Sequence, residues 1–197
     1  MSARRLVRVV ALLLAAALIA LAPGRGRGGS ANDRGLAQRL LGPIASLAAS
    51  AQWVRVDLAF RAGETELALA RAEQALALDP GSPELWYDLA WRQAFTLASP
   101  ERELDPALRL AWLRSGLATA AEGEARSREP AELALLQGLI LVKSAWLDPA
   151  LPWPGGVDGM WTDAARHFER AAALGHPRAA ALQQAATKRA AATPGGS

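Results

Sequence analysis

The chain has 197 residues, of which 51% are hydrophobic, and this length suits one modest domain preceded by a leader. It has no cysteine, which excludes disulfides, thiolate metal sites and lipid attachment through an N-terminal cysteine. Five of the 22 Lys and Arg residues, and no Asp or Glu, lie in residues 1–30, so the rest has 17 basic against 19 acidic residues. A mildly acidic body attracts phosphate backbones weakly, and we expect no nucleic-acid partner.

Residues 1–22 have the layout of an export signal. Three arginines precede an unbroken apolar run, residues 9–22, which is typical of a secretory signal peptide. The run is short for a spanning helix. However, Pro23 follows the candidate cleavage site and disfavours cleavage, so an uncleaved signal anchor is the alternative. In either case we expect a membrane-anchored (single-pass) or exported protein with its body outside the cytoplasm.

Two short segments flank the body. Residues 23–32 include GRGRGGS, whose glycine spacing matches a dinucleotide-binding loop. That loop needs a preceding strand and a following helix in a βαβ unit, and no strand pattern is present, so a Gly/Arg linker is favoured. Residues 193–197 are expected to form a flexible tail. The body is then residues 33–192.

The body is predicted to be all helical, because it is rich in Ala, Leu, Glu and Arg and lacks alternating β-branched runs. Ala68, Ala72 and Ala75 follow one another at helical spacing and form one small-residue stripe. Asp79-Pro80 ends that helix, because the residue before proline is disfavoured in helical geometry. Ser82 is expected to cap a second helix that starts at Pro83 and folds back against the first.

This segment resembles a tetratricopeptide repeat. Its closing alanine and proline correspond to Ala68 and Pro80, and Gly63 stands at the turn between the two helices. The opening Trp-x2-Leu-Gly of a next copy corresponds to Trp86, Leu89 and Ala90, with alanine in place of glycine. Val56 and Ala90 are 34 residues apart, the length of one repeat.

A more divergent copy follows, with Gly138 in its first helix and Ala164, Phe168 and Ala171 in its second. From Ala90 to Gly138 is 48 residues, and the extra residues are predicted to lie in the 99–106 turn and a charged 122–130 connection. The middle second helix is predicted from Pro106 to about Ala121.

The resemblance implies a short all-α solenoid of about three antiparallel helix pairs, in a bacterial membrane-anchored or exported protein. An entry helix before the first repeat is predicted over residues 35–47, interrupted near Gly42-Pro43. A polar capping helix is predicted over residues 178–192, since terminal repeats need a polar outer face.

The same resemblance implies a partner-binding groove, because the first helix of each pair lines a concave surface in this family. Carried over position by position, the groove residues are Trp53, Asp57, Arg61, Tyr87, Trp91, Phe95 and Lys143. Aromatic side chains beside Arg and Asp suit an extended peptide or a partner helix. The alternative is that these aromatic residues belong to the core.

Trp153 is the candidate in a loop. It lies in LDPALPWPGGVDGMW, residues 147–161, which contains three prolines and three glycines and is long for a connection in such repeats. A rigid Pro-Trp-Pro segment is either a docking finger or a lid over the groove, and the lid is preferred. The other tryptophans Trp86, Trp112 and Trp161 are predicted to pack between helices.

The sequence shows no catalytic constellation, so we predict no enzyme, no metal and no cofactor. His167 and His176 are nine residues apart and are expected to be solvated or capping residues. The predicted function is a non-enzymatic scaffold that binds a protein or peptide partner and meets the membrane through its N-terminal segment. The alternative is a helical protein that binds a glycan or peptide, or acts on one, with the Trp153 loop as a lid.

Overall fold

The computed structural model describes the backbone of residues 31–192 and the side chains of residues 44–192. The predicted signal at 1–22, most of the linker and the tail at 193–197 lie outside the described residues. All regular structure within 31–192 is helical, as the sequence predicted. The elements are α1 (Ala31–Arg61), α2 (Thr65–Leu78), α3 (Pro83–Trp91), a π-helical segment (Arg92–Leu97), α4 (Pro106–Arg126), α5 (Pro130–Leu147), α6 (Gly156–Ala173) and α7 (Ala179–Ala192).

The helices pack as three consecutive antiparallel pairs, α1 with α2, α3 and the π-helical segment with α4, and α5 with α6. Helix α3 also packs on α5, and α7 covers α6 at the C-terminal end. This arrangement confirms the predicted short helical-repeat solenoid with a capping C-terminal helix. Side-chain bonds from Trp53 and Asp57 join α1 to α3 and the π-helical segment, so α1, α3 and α5 lie along one side.

The first helix pair turns at Gly63, whose φ of +79° favours glycine. The stripe of Ala68, Ala72 and Ala75 is fully buried, because small side chains let α1 approach α2 closely. Pro83 starts α3 as predicted. The predicted cap is wrong in detail: Ser82 occupies the N-cap position, but its hydroxyl donates to the carboxylate of Glu84 instead of accepting a backbone N–H.

Two glycines allow the helices of the later pairs to pack closely. A Cβ at Gly138 would lie 2.4 Å from Cε1 of Phe168, so the Phe168 ring lies directly on the α5 backbone. A Cβ at Gly123 would lie 2.6 Å from the side chain of Trp86, which sets the distance between α3 and α4. Both glycines are needed for close approach and not for their backbone conformation.

Helix α1 differs from the prediction, because it continues without interruption through Gly42-Pro43 and begins at Ala31. A proline inside a helix removes its own hydrogen bond and bends the chain, but it does not have to end the helix. Beyond Pro43 the helix is held by the burial of Ala45, Ala49 and Val56.

The extra residues of the middle pair are also distributed differently. Helix α4 runs to Arg126, so residues 122–126 are helical and the predicted charged connection is reduced to residues 127–129. Glu122 and Arg126 form an i,i+4 ion pair of 2.6 Å that extends this helix. The remaining extra length lies in the π-helical segment and in the turn at residues 98–105.

Helix α5 is the most apolar element. It is the one helix among the described residues that is long and apolar enough to cross a membrane, with a mean hydropathy of 1.2 over 18 residues. More than half of that window, 56%, is buried inside the structure. Helix α5 is therefore the central core helix, with Leu133, Leu136, Ile140 and Leu141 fully buried.

Candidate partner-binding face

A charged network joins α1 to α3 and to the π-helical segment. Nη2 of Arg92 lies 2.6 Å from Oδ1 of Asp57 and 3.0 Å from Oδ2 of Asp88. The indole N–H of Trp53 donates to the same Oδ2 of Asp88 at 2.9 Å. The Arg92 guanidinium also lies over the ring of Phe60, 5.1 Å from its centroid. The first helices of the first two pairs are thus held side by side.

Three aromatic rings follow one another along α3 and the π-helical segment. The rings of Tyr87 and Trp91 are stacked with centroids 5.9 Å apart, and the rings of Trp91 and Phe95 lie 4.4 Å apart. Nζ of Lys143 on α5 lies 4.1 Å from the Trp91 ring centroid and 4.5 Å from that of Phe95. These distances are within the range of cation–π contacts. We call Tyr87, Trp91, Phe95 and Lys143 the aromatic ladder.

The ladder and the charged network form one continuous surface across α1, α3 and α5, which we call the inner face. It consists of the residues Trp53, Asp57, Tyr87, Asp88, Trp91, Arg92, Phe95 and Lys143. The sequence left open whether its aromatic residues are exposed or buried. Tyr87 is exposed, at 38%, whereas Trp53, Trp91 and Phe95 are half-buried against the core. Of the predicted groove residues, Arg61 is exposed at the end of α1 and contributes no contact to the network.

Sequence reasoning missed Asp88 and Arg92, which join the other residues of the inner face. Their spacing of four on one helix is a visible signal for an ion pair. What the sequence does not show is the third partner, because Asp57 lies 35 positions before Arg92. The π-helical segment that begins at Arg92 was not predicted either, and such segments are frequent at functional sites.

An acidic pocket of about 270 Å³ lies beside the Tyr87 end of the ladder. Its lining includes Glu84, Glu129 and Glu132. Burial, and secondarily the charge of Glu132, raise the pKa of the Tyr87 hydroxyl above its usual 10.0. The hydrogen bond from Ser82 is the main cause that lowers the pKa of Glu84, so this carboxylate stays ionised. The two ends of the ladder therefore differ in charge, with Lys143 at one and carboxylates at the other.

A larger opening of about 640 Å³ lies between α2, α3 and α4, and we call it the α2–α4 cleft. Indoles and polar groups line it together: Trp86, Gln93, Trp112, Thr119, Glu122 and Arg126 are among its residues. Gln93 is only 7% exposed and accepts a hydrogen bond from Thr119 at 2.7 Å. Its NH2 group makes no hydrogen bond to any residue that the structure describes. Trp112 packs against the core between helices, as predicted, and is half-buried at this cleft.

Trp153 lies in a shorter connection than predicted, because α6 already begins at Gly156. Its indole N–H donates to Oδ2 of Asp163 at 3.0 Å, and Asp163 also pairs with Arg166. The carbonyl of Pro154 leaves no room for a Cβ at Gly159. Trp153 is therefore fastened to the first turns of α6, where it stabilises the connection, and its predicted role as a lid over the groove stays a prediction.

The two histidines have structural surroundings. Nε2 of His176 lies 3.1 Å from Glu132, and its Nδ1 accepts the backbone N–H of Arg178 at the start of α7, which agrees with the predicted capping role. His167 is half-buried, and burial is the main cause that lowers the pKa of its imidazole below 6.5. Within residues 44–192 no group of three His, Asp or Glu side chains could hold a metal ion.

Comparison with known proteins agrees with this geometry. The tetratricopeptide repeat family matches residues 49–92, from the middle of α1 to the first residue after α3. No curated protein and no solved structure matches the chain significantly. The matched segment contains the C-terminal part of α1 and all of α2 and α3, and α1 and α3 hold Trp53, Asp57, Tyr87 and Trp91. Residues 49–92 of the chain are therefore similar to a tetratricopeptide repeat.

Proposed function

We propose that this protein is a non-enzymatic scaffold that binds an extended segment of a protein partner along the inner face. We further propose that it works while tethered to a membrane or exported, with its body outside the cytoplasm. Tetratricopeptide repeats in general bind protein partners. The observation that supports a site at the inner face is the aromatic ladder, in which three half-exposed rings and Lys143 lie on one surface.

Partly exposed aromatic residues suit partner binding for an energetic reason. Trp and Tyr supply large contact areas and lose little conformational entropy, so they dominate the energetics of many interfaces. The ladder is also preorganised, because its rings contact one another and Lys143 covers Trp91 and Phe95. A partner that covers these rings removes the remaining water from them and strengthens the contacts with the Lys143 cation.

The charges at the two ends of the ladder give the partner a direction. Lys143 takes part in no ion pair with the described residues, so it can receive a carboxylate of the partner. At the Tyr87 end, Glu84, Glu129 and Glu132 can receive a basic side chain. The expected partner segment is therefore extended, with a basic residue at the Tyr87 end, apolar residues in the middle and an acidic residue at the Lys143 end.

The test is the binding of designed peptides to the full chain. One peptide series has the order basic, apolar, acidic, a second has the reversed order, and a third has the same composition scrambled. We expect saturable binding of the first series, measured by fluorescence polarisation. Trp91→Ala should weaken this binding at least tenfold, and Lys143→Met, which keeps much of the packing over the rings, should weaken it less.

The matched control is Trp146→Ala, which removes a 63% exposed indole at the end of α5. It should leave peptide affinity unchanged within a factor of two. Equal affinity of all three peptide series, or equal loss from the Trp91 and Trp146 variants, would contradict binding at the inner face. Circular dichroism of each variant shows whether the helices are retained.

The proposed location has its own test. Mass spectrometry of the mature chain from membranes and from the exported fraction shows whether residues 1–22 are present. An intact leader in the membrane fraction supports a signal anchor, and a chain that begins near residue 23 in the exported fraction supports a signal peptide. A full-length chain found only in the cytosol would contradict both.

A second candidate function is binding of a small polar ligand, and the α2–α4 cleft favours it. The cleft volume of about 640 Å³ is in the usual range for ligand pockets. The buried Gln93 amide offers an unused donor, and the Trp112 ring offers an apolar surface, so a glycan with one apolar face fits the lining. Saccharides should quench tryptophan fluorescence saturably, and Gln93→Ala should abolish the effect while Gln184→Ala, at an exposed site on α7, should not. A panel of saccharides without any change would contradict it.

A further inference from the structure

Helix α1 has an exposed apolar side that faces away from α2. The side chains of Ile44, Leu47, Val54 and Leu58 are 52%, 72%, 59% and 57% exposed, although all four are large and apolar. The small residue Ala51, also exposed, lies between them. The opposite side of the same helix is buried. We call these five exposed residues the α1 stripe.

The α1 stripe has the spacing of a coiled-coil seam. From Ile44 to Leu58 the steps along the chain are three, four, three and four residues. In the sequence the same alternation reaches back to Leu40 and Ala37, so it covers three heptads of a helix that begins at Ala31. Two helices wound around each other require this 3.5-residue period, and the seven positions include no charged residue.

No other described helix covers the stripe. Helix α2 packs on the other side of α1 and ends beside Ser46, whose hydroxyl donates to Asp79 just after α2. At about 1.5 Å per residue, the 31 residues of α1 span about 46 Å, and the 14 of α2 only about 21 Å. The capping helix α7 packs on α6 at the far end of the solenoid. The stripe is thus available to another molecule.

We propose that the α1 stripe pairs with the same stripe of a second copy of this chain. An identical stripe is its own complement in a two-fold contact. Ala51 at the middle lets the two backbones approach, with larger residues on each side of it. The flanking heptad positions fit as well. In a parallel pair in register Arg55 lies opposite Ser50 of the second copy, and in an antiparallel pair it lies opposite Ala48, so like charges do not meet.

The first test uses the absence of cysteine from the chain, which makes an introduced thiol the only one. Full-length Leu47→Cys and Leu58→Cys variants are purified in mild detergent and oxidised. In a parallel pair each cysteine faces the same cysteine of the second copy, so Leu47→Cys forms a disulfide-linked dimer without the other variant present. An antiparallel pair gives a linked dimer only when the two variants are mixed. Ala118→Cys, exposed on α4, is the control and should not be linked.

The second test measures mass by analytical ultracentrifugation over a concentration series. The unmodified chain should form a dimer, and Leu47→Glu with Val54→Glu should give a monomer with unchanged helicity. Leu108→Glu, at a 49% exposed leucine of α4, should leave the dimer intact. A monomer at every concentration, as expected if residues 1–22 cover the stripe, would overturn the proposal. A dimer that survives both glutamates would also overturn it, because the copies are then held elsewhere.

Discussion

Arg92 on the π-helical segment and Asp57 on α1 are joined across two helix pairs, with 2.6 Å between Nη2 and Oδ1. Helix α2 makes limited contact with α3, so this pair and the bond from Trp53 to Asp88 supply much of the direct connection between the first and second pairs. Neither side chain is deeply buried, since Arg92 is 25% and Asp57 34% exposed. The ion pair therefore sets the position of the helices more than their stability.

The first prediction concerns this ion pair. In a double-mutant cycle with Asp57→Asn and Arg92→Met, we expect a coupling free energy of roughly 0.5–1 kcal/mol, because partly exposed pairs contribute little after solvent screening. Urea denaturation followed by circular dichroism measures it. Salt should reduce the coupling. Additive effects of the two substitutions would show that the pair does not form in solution.

The repeat motif was predictable from the sequence because its residues determine backbone packing. Trp86 and Ala90 are buried at helix contacts, and Gly63 has the conformation that the turn requires. These requirements act within one or two turns of chain, so they leave a local pattern. Asp88 and Arg92 were missed because their function depends on Asp57, and no local rule relates residues that lie so far apart.

The course of α1 and the position of Trp153 could not be predicted for another reason. A proline at position 43 and a Pro-Trp-Pro segment are both local signals for irregular structure. Tertiary packing overrides them, since α1 is held by buried residues beyond Pro43, and Trp153 is held by its bond to Asp163. The partner of the inner face leaves no local pattern at all.

The second prediction concerns the contact between α5 and α6. Gly138→Ala should lower the free energy of unfolding by about 1–3 kcal/mol, because the new methyl group overlaps Phe168, which is 1% exposed and cannot move aside. The higher helix propensity of alanine, about 1 kcal/mol, offsets only part of this cost. Thermal and urea denaturation measure the change.

The control for this substitution is Gly81→Ala, where the added methyl group meets only the side chain of Arg128. That side chain is largely exposed and can move, so the loss should be smaller. Phe168→Leu should be less harmful in the Gly138→Ala background than in the unmodified chain. Equal costs in both backgrounds would mean that the ring and the glycine are not in contact.

The third prediction uses the fact that Tyr87 is the only tyrosine of the chain. Its pKa is raised above 10.0, first by burial and second by the charge of Glu132. Absorbance of the phenolate in the folded chain should therefore titrate above pH 10.0. Glu132→Gln should lower the midpoint part of the way back, since burial remains. A midpoint at 10.0 in the folded, unmodified chain would contradict the placement of Tyr87 between the ladder and the acidic pocket.

The fourth prediction concerns His167 and the pH dependence of stability. Burial is the main cause that lowers the pKa of its imidazole below 6.5, although Asp163 and Glu124 act in the opposite direction. Between the folded pKa and 6.5 the unfolded chain binds more protons than the folded chain, so stability rises with pH in that window. The free energy of unfolding should thus decrease as pH falls below about 6.5, and the loss is complete below the folded pKa. His167→Gln should remove this part of the pH dependence. Urea titrations at several pH values between about 7 and 5 measure the free energy of unfolding of the unmodified chain and of His167→Gln. If the two curves against pH are parallel, His167 is solvated in the folded chain.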